Sequence, residues 1–415
     1  MVGNKTRKIG RSLKIRKNEE AGYNKDYLKI AARLKYLKAA LVALLLLVVC
    51  GGFMFVDQLS LNNIAALWRY VDIVPAGGHS VAQGFRIDAD ENAQVGLYRN
   101  NIVVLRRSRL DIFDLSGRRA NFFNIAYSNP VLRISDRYIL AFDIGVNNLA
   151  IFNMSHQVFE HLGEGPVFNA RVTDRGYVVY VTREPGYQSV VRVLNSDFAK
   201  IFAAHRARDF VTDAYIDNAG RRLVIAGYDA RDGDFVARLA LFDTRAQEPV
   251  REIEIRGERP YRVKLNDNGF VAVLGDSVRF YDLDGEQVAS YNLSGRALQR
   301  LELGAEYSAV ILNERTLGND SRILVFDSAG NIVWEQAAGE EIKDAVFDAG
   351  YNYLYYLSRT GLYEISLREG SHRRVTARID EYGAVMYDET ARRIIFAGEA
   401  NIFLAGLAKV NVLER

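Results

Sequence analysis

The chain has 415 residues, is 49% hydrophobic and 25% charged, and carries a formal net charge of +3. Its one cysteine, Cys50, excludes a fold held together by disulfide bonds. Tyr and Phe number 23 and 21 against 6 Pro, and the aromatic and β-branched residues fall in short runs between Gly, Asn and Asp, which is typical of strands and turns. The length after residue 56 allows one large β domain or two ordinary ones.

The first 38 residues contain 12 Lys and Arg against 3 Asp and Glu, whereas the rest of the chain is net acidic. Residues 1–26 show no apolar periodicity, and we predict a disordered cytoplasmic tail there. A basic tail could bind nucleic acid, but the excess of positive charge on the inner side of membrane spans explains the same residues. We therefore predict no nucleic-acid partner.

Residues 39–56 contain no charged side chain. As a helix they would be about 27 Å long, close to the thickness of a bilayer's hydrocarbon core. Apolar residues recur at helical spacing from Tyr27 onward, so we predict a helix over 27–56 with a transmembrane span over 39–56 in contact with the lipid bilayer. The long tail and long apolar core fit a cleaved signal peptide poorly, and a lipoprotein signal at Cys50 also fits poorly, so we expect an uncleaved signal-anchor.

The basic residues before the span and their absence just after it set the orientation. We predict a single-pass protein of the cell membrane, with its N-terminus in the cytoplasm and its C-terminal domain outside. Residues 57–82 form a linker or an interfacial segment in this interpretation.

A repeated pattern follows from about residue 85: an apolar run ends in a large residue, and Asp, Asn or a small polar residue comes next. Successive markers are 39, 42, 48, 39, 45, 39 and 39 residues apart, and two further apolar runs precede each marker. A period near 40 in strand-like sequence is typical of the four-stranded blades of β-propellers. The marker positions are Asp114, Asn153, Asn195, Asp243, Asp282, Asp327, Ser366 and, in a degenerate form, Ala405.

We therefore predict an all-β fold, with an extracytoplasmic β-propeller of eight four-stranded blades over residues 83–415, preceded by the transmembrane α-helix. Seven blades are the alternative, if the segment from Asn401 completes a blade that begins near Phe85. Each marker Asp or Asn is expected to accept a hydrogen bond from the backbone two residues later, with a following Gly at positive φ.

The connections between the second and third strands vary most in length, and the long ones lie at 183–188, 228–235 and 313–320. In a propeller these connections share one face with the segments that join successive blades, so we predict the binding side there. The charges of this face are mixed and indicate no polyanion. The candidate binding residues are Arg183, Tyr187, Asp229, Asp232, Asp234 and Arg315.

No sequence pattern of a known catalytic, nucleotide-binding or zinc site occurs, and we predict no metal and no cofactor. Asp229, Asp232 and Asp234 resemble a calcium loop, but their spacing misses the pattern and no Glu closes it, which favours a solvated turn. The abundant Tyr residues are most simply explained by packing between strands. Carboxylate pairs for hydrolysis could still be assembled from different blades.

The stretch from Gly84 to Asp88 and the stretch from Ala126 to Asn153, above all Ser128–Leu132, resemble a family known only as a domain of unknown function. This resemblance covers nearly all of the chain beyond the span. It implies a single-pass, membrane-anchored propeller of clostridia-like Gram-positive bacteria, and it brings no catalytic residues.

The pattern that ends at Trp334 is also similar to one repeat of quinoprotein-type (PQQ-like, WD40-like) propellers and of outer-membrane assembly scaffolds. Quinoprotein enzymes are expected to contain a vicinal cysteine pair, which this sequence lacks. We therefore expect a scaffold that binds a protein or a cell-envelope ligand without catalysis, and the alternative is an envelope polysaccharide hydrolase that uses carboxylates on the long-loop face.

Overall fold

The computed structural model describes residues 83–87, 93–163, 165–231, 233–314, 320–377, 381–390, 392–398 and 401–406. The predicted tail, membrane helix and linker lie outside these residues. Within them the regular elements are 32 strands, and no helix there is long and apolar enough to cross a membrane.

The strands form eight antiparallel sheets of four, which we number as blades from the N-terminal side. Blade 1 contains β2 (Gln94–Tyr98), β3 (Asn101–Leu105), β4 (Arg109–Asp114) and β5 (Arg119–Asn124). Blade 2 contains β6 (Pro130–Ile134), β7 (Ile139–Asp143), β8 (Asn148–Phe152) and β9 (Gln157–Leu162). Blade 3 contains β10 (Asn169–Val172), β11 (Val178–Glu184), β12 (Tyr187–Leu194) and β13 (Lys200–Arg206). Blade 4 contains β14 (Phe210–Ile216), β15 (Arg222–Arg231), β16 (Asp234–Asp243) and β17 (Arg251–Arg256).

The remaining blades repeat this order. In blades 1–7 the strand that comes first in the chain lies at the inner edge of the sheet, whereas in blade 8 the first strand of the described chain lies at the outer edge. Blade 5 contains β18 (Pro260–Leu265), β19 (Gly269–Leu274), β20 (Ser277–Asp282) and β21 (Gln287–Asn292). Blade 6 contains β22 (Leu298–Leu303), β23 (Tyr307–Asn313), β24 (Ser321–Asp327) and β25 (Ile332–Ala337). Blade 7 contains β26 (Ile342–Phe347), β27 (Tyr353–Ser358), β28 (Gly361–Ser366) and β29 (Ser371–Ala377). Blade 8 contains β30 (Tyr382–Asp388), β31 (Arg393–Gly398), β32 (Asn401–Gly406) and β1 (Gln83–Arg86).

Blade 8 closes the ring with strands from both ends of the described chain. β32 pairs with β1 in antiparallel register, so that Ile402 faces Phe85 and Asn401 faces Arg86. The predicted eight blades of four strands are confirmed. The seven-blade alternative is wrong. The pairing on which it depended, between the segment from Asn401 and the segment around Phe85, does occur, but it completes the eighth blade.

The core consists of eight apolar clusters, and each cluster is shared by two adjacent blades. On β3, Val103 packs with residues of blade 2, whereas Ile102 packs with Ile395 and Leu404 of blade 8. Successive residues of a strand point to opposite faces of the sheet, so a strand between two blades must be apolar on both faces. This requirement explains the uninterrupted apolar runs that precede each marker in the sequence.

The marker side chains close turns as predicted. Oδ1 of Asp282 accepts hydrogen bonds from the backbone N–H groups of Asp284 (3.0 Å) and Glu286 (2.8 Å), and Gly285 has φ of 80°. The same bond to the residue two positions later is made by the other five Asp and Asn markers: Asp114, Asn153, Asn195, Asp243 and Asp327.

The connections predicted as long loops are instead extended hairpins in two blades. In blade 4, β15 and β16 stay paired from Arg222 with Asp243 to Arg231 with Asp234, and Gly233 has φ of 89°. In blade 3, Glu184 pairs with Tyr187. The strands continue because pairing satisfies backbone groups that an open loop would leave to water.

Candidate binding face and channel mouth

The propeller has two faces, which differ in the connections they carry. We call upper face the one with the hairpins between the second and third strands of each blade and with the segments that join successive blades. The lower face carries the connections between first and second strands and between third and fourth strands, including the marker turns.

Large exposed hydrophobic side chains concentrate on one part of the upper face. Of the thirteen in the described part of the chain, seven lie on the upper face of blades 2–5 and six lie on or next to outermost strands. Such a concentration commonly marks a surface that another molecule covers. We call these seven residues the apolar patch: Ile144, Val146, Phe168, Tyr187, Phe210, Phe235 and Tyr261.

Aromatic rings contact one another and a guanidinium group within the patch. The Tyr228 ring lies between the rings of Phe210 and Phe235, each 5.6 Å away between centroids. The guanidinium carbon of Arg259 lies 4.5 Å from the centroid of Phe235, which is a favourable cation–π distance. Aromatic residues and Arg are the types enriched where protein interfaces bind most strongly.

Backbone hydrogen bonds hold the patch residues of blade 2 and of the segment between blades 2 and 3. The N–H of Gly145 donates to the carbonyl of Val167, and the N–H of Val167 donates to the carbonyl of Val146, both at 2.8 Å. The N–H of Phe168 donates to the carbonyl of Val181 at 2.9 Å. Exposed side chains on a fixed backbone bind with a smaller loss of conformational entropy.

A buried carboxylate fixes the segment that joins blades 3 and 4. Asp209 is 2% exposed, and its Oδ2 accepts a hydrogen bond of 2.7 Å from Nε of Arg206. Its other oxygen accepts from Nη1 of Arg238 in β16. Phe210 follows directly, so this charged network sets the position of an exposed aromatic side chain.

The central channel opens on the upper face next to the patch, through a cavity of about 720 Å³. Ile144, Phe168 and Tyr261 belong to both the patch and the wall of this mouth. The charged residues among the described lining are all cationic: Arg133, Arg262 and Arg300. The mouth therefore combines an apolar rim with a basic interior.

The structure places four of the six predicted binding residues. Arg183 and Tyr187 lie on the blade 3 hairpin within reach of the patch: the Arg183 guanidinium is 6.0 Å from the Phe168 ring, and the Tyr187 ring is 4.6 Å from that of His205. Asp229 and Asp234 lie on facing strands of the blade 4 hairpin, opposite Val236 and Arg231.

The other two predicted binding residues, Asp232 and Arg315, lie outside the described residues. None of the four that are described lines the channel mouth. Their role in binding stays a prediction.

The sequence interpretation missed most of the patch because it assigned aromatic residues to strand packing. That explanation holds for Tyr98, Tyr180, Tyr355 and Tyr356, which are almost fully buried. It is wrong for Tyr261, which is 46% exposed, whereas Tyr187, which is 41% exposed, is one of the candidate binding residues predicted from the sequence. A usable signal is present in the sequence, since Phe235 ends the connection at 228–235, and Phe168 and Phe210 lie where one blade passes to the next on the same face.

No group of three or more His, Cys, Asp or Glu side chains within the described ranges is arranged to hold a metal ion. The apolar patch and the mouth present aromatic and guanidinium groups.

Fold and site define a closed, eight-bladed propeller with an exposed aromatic surface beside a basic channel mouth. Residues 77–397 match a family model described as a family of unknown function, DUF5711, and the chain belongs to this family. The predicted resemblance to an uncharacterised family is confirmed at this level.

No curated protein matches the sequence significantly. Among solved structures the chain is similar to BamB from Moraxella catarrhalis, with 14% sequence identity and a TM-score of 0.49 over 78% of this chain and 99% of that chain.

Proposed function

We propose that this protein is a scaffold, anchored in the cell membrane by residues 39–56, whose extracytoplasmic propeller binds another protein through the upper face of blades 2–5. The apolar patch is the observation that carries the proposal. Its seven exposed side chains spread over four adjacent blades, and such a concentration of exposed apolar groups commonly marks a protein-binding surface.

The chemistry of the face specifies the partner. Arg183 and Arg259 lie against patch rings, and the channel mouth contributes Arg133, Arg262 and Arg300. A complementary surface presents apolar side chains flanked by carboxylates, because unpaired cations buried in an interface would oppose binding. We therefore propose a protein segment with apolar residues next to Asp or Glu as the occupant.

The alternative, hydrolysis of an envelope polysaccharide, requires two carboxyl groups about 5–9 Å apart at the reaction site. The described residues that line the upper mouth include no Asp or Glu. Asp229 and Asp234, the described carboxylates among the candidate binding residues, belong to a paired hairpin outside the mouth. The scaffold function therefore has the stronger support.

The proposal is tested by site-specific photocrosslinking in intact cells. A photoreactive phenylalanine analogue replaces Phe168, Phe210 or Tyr261, and the same analogue at Phe122 or Ile332 serves as the control, since these outer-strand residues are similarly exposed. We expect one discrete protein adduct from the patch positions. Equal adducts from patch and control positions, or none from the patch, would overturn the proposal.

Charge reversal then tests the chemistry of the captured partner. Arg259→Glu should weaken its binding about 30-fold, the loss expected for a residue worth about 2 kcal/mol at an interface centre. Lys200→Glu, which also reverses an exposed cation but on the outermost strand of blade 3, is the matched control and should bind normally. A partner indifferent to Arg259→Glu would contradict the carboxylate-bearing surface.

A further inference from the structure

The lower end of the central channel contains a second cavity, of about 450 Å³, lined by the innermost strands of blades 2–6. This volume falls within the range of small-molecule sites, about 300–1,000 Å³. Four cationic side chains line it: Arg133, Arg171, Arg262 and Lys264.

One buried carboxylate serves two of these cations. Asp213 is fully buried, and its Oδ2 lies 3.0 Å from Nη2 of Arg171 while its Oδ1 lies 3.9 Å from Nη1 of Arg262. The same carboxylate accepts hydrogen bonds from Nδ2 of Asn169 (2.8 Å) and from the N–H of Val263 (3.0 Å). The single negative charge of Asp213 is shared among two guanidinium groups, one amide and one backbone N–H. It therefore neutralises Arg171 and Arg262 only in part.

Arg133 is only weakly compensated. Its Nη1 donates to the carbonyl of Leu132 at 2.9 Å, and it forms no ion pair with any carboxylate of the described residues. Burial and the neighbouring charges of Arg171 and Arg262 lower the pKa of Arg133 to about 10. Arg133 is half-buried, and a partly desolvated guanidinium group without an ion-pair partner gains from a bound anion.

The carboxylates in the cavity wall compensate only part of this charge. Asp174 accepts hydrogen bonds from the N–H of Asp136 (3.0 Å) and from Nδ2 of Asn218 (3.4 Å). Burial raises the pKa of Glu302 to about 7, so this group is only partly ionised at neutral pH. Lys264 nearby directs its Nζ to the carbonyl of Leu303. The cavity therefore keeps an excess of positive charge.

We propose that this cavity binds a compact anion with a phosphate group, held between the guanidinium groups of Arg133, Arg171 and Arg262. Three planar groups that line one small cavity match the several oxygens of a tetrahedral dianion better than the two oxygens of a carboxylate. Ser135, Thr173 and Tyr215 add hydroxyl groups to the same wall. Arg133 and Arg262 also line the upper mouth, but the phosphate site is tested with the ligand alone, so its failure is distinguishable from a failure of the proposed partner interface.

Calorimetric titration of the full-length protein in detergent with inorganic phosphate tests the site, at an ionic strength held constant with chloride. We expect saturable binding and a rise in Tm beyond that caused by chloride. Glycerol 3-phosphate forms a second arm: tighter binding than inorganic phosphate assigns the site to a phosphate ester, and equal or weaker binding assigns it to the free ion. The absence of saturable binding in both arms would overturn the proposal.

Arg133→Gln should weaken phosphate binding at least about tenfold, the value of one lost charge-assisted hydrogen bond. Without phosphate its Tm should equal or exceed that of the wild type, because a cation is removed from beside two others; a purely structural role predicts a lower Tm instead. Arg175→Gln, an exposed arginine of the lower face outside the cavity wall, is the matched control. Lys264→Met provides a second variant that should also weaken binding, and unchanged binding in both cavity variants would refute the site.

Discussion

The two faces of the propeller differ in how much their connections vary from blade to blade. On the lower face, six marker turns repeat one solution, in which an Asp or Asn side chain caps the backbone two residues later. On the upper face the hairpins differ in length from blade to blade, and exposed aromatic residues lie on the hairpins of blades 3 and 4 and where successive blades from 2 to 5 join. The lower turns secure the strands, whereas the upper hairpins are free to differ from blade to blade.

The largest expected change in unfolding free energy comes from comparing two glycines at positive φ, one on each face. Gly330 has φ of 87° in a lower turn, and an added Cβ would lie 2.5 Å from Cβ of Ala289 and 2.6 Å from the buried ring of Phe280. Gly186 has the same φ in an upper hairpin, with nothing within 4 Å. Gly330→Ala should therefore lose about 3 kcal/mol of unfolding free energy, from backbone strain and overpacking, and Gly186→Ala about 1 kcal/mol.

Chemical denaturation of both variants measures this difference. Equal losses would mean that the lower turns are no more tightly packed than the upper hairpins.

The two ends of the channel also differ: Glu302 lines the lower cavity, whereas the described lining of the upper mouth has no carboxylate. The titration of Glu302 tests this difference. Burial and the nearby Asp344 raise the pKa of Glu302 from 4.5 to about 7, which favours the protonated form in the folded state. Its contribution to stability is therefore complete below about pH 4.5 and is lost as pH rises through 7. The loss is at most about 3 kcal/mol, at 1.36 kcal/mol per pKa unit.

Glu302→Gln stays neutral at every pH, so the wild type should lose stability relative to this variant between pH 4.5 and pH 8. Denaturant titrations at several pH values in phosphate-free buffer measure the change. A pH-independent difference between the two proteins would show that Glu302 titrates normally.

A single marker side chain gives the smallest effect. Asp282→Ala removes the acceptor of two backbone N–H groups and should cost about 1 kcal/mol, as the loss of a helix N-cap does. Asp276→Ala, at an exposed upper hairpin of the same blade, should change the unfolding free energy by less than about 0.5 kcal/mol. Similar losses of unfolding free energy in the two variants would show that the marker side chain does not stabilise its turn.

Much of the fold could be predicted because each blade repeats its own local chemistry. Marker spacing gave the number of blades, and the Asp and Asn residues gave the turns, since both depend on short stretches of chain. The Asp-Gly at residues 232–233 is also a typical signal of a tight hairpin, and it would have corrected the prediction of a long loop there.

The charged channel could not be predicted in the same way, because it is assembled from five blades. Arg133 and Arg262 are 129 residues apart in the sequence and line one cavity. A partial signal exists, since in blades 4–7 a charged residue directly follows the irregularity of the innermost strand: Asp213, Arg262, Arg300 and Asp344. Only the ring shows that Arg262 and Arg300 line one mouth and that Asp213 lies within ion-pair distance of Arg262.

The pairing of β1 with β32 also determines when the ring can close during biosynthesis. Gln83 is made early and its partner Leu404 about 320 residues later, so the first strand must wait for almost the whole domain to be synthesised. Contacts between such distant residues form slowly, because the intervening chain must first be ordered. Blades 1–7 can assemble as the nascent chain emerges, but the ring locks only when residues 401–406 arrive, and until then its two open edges need protection from other chains.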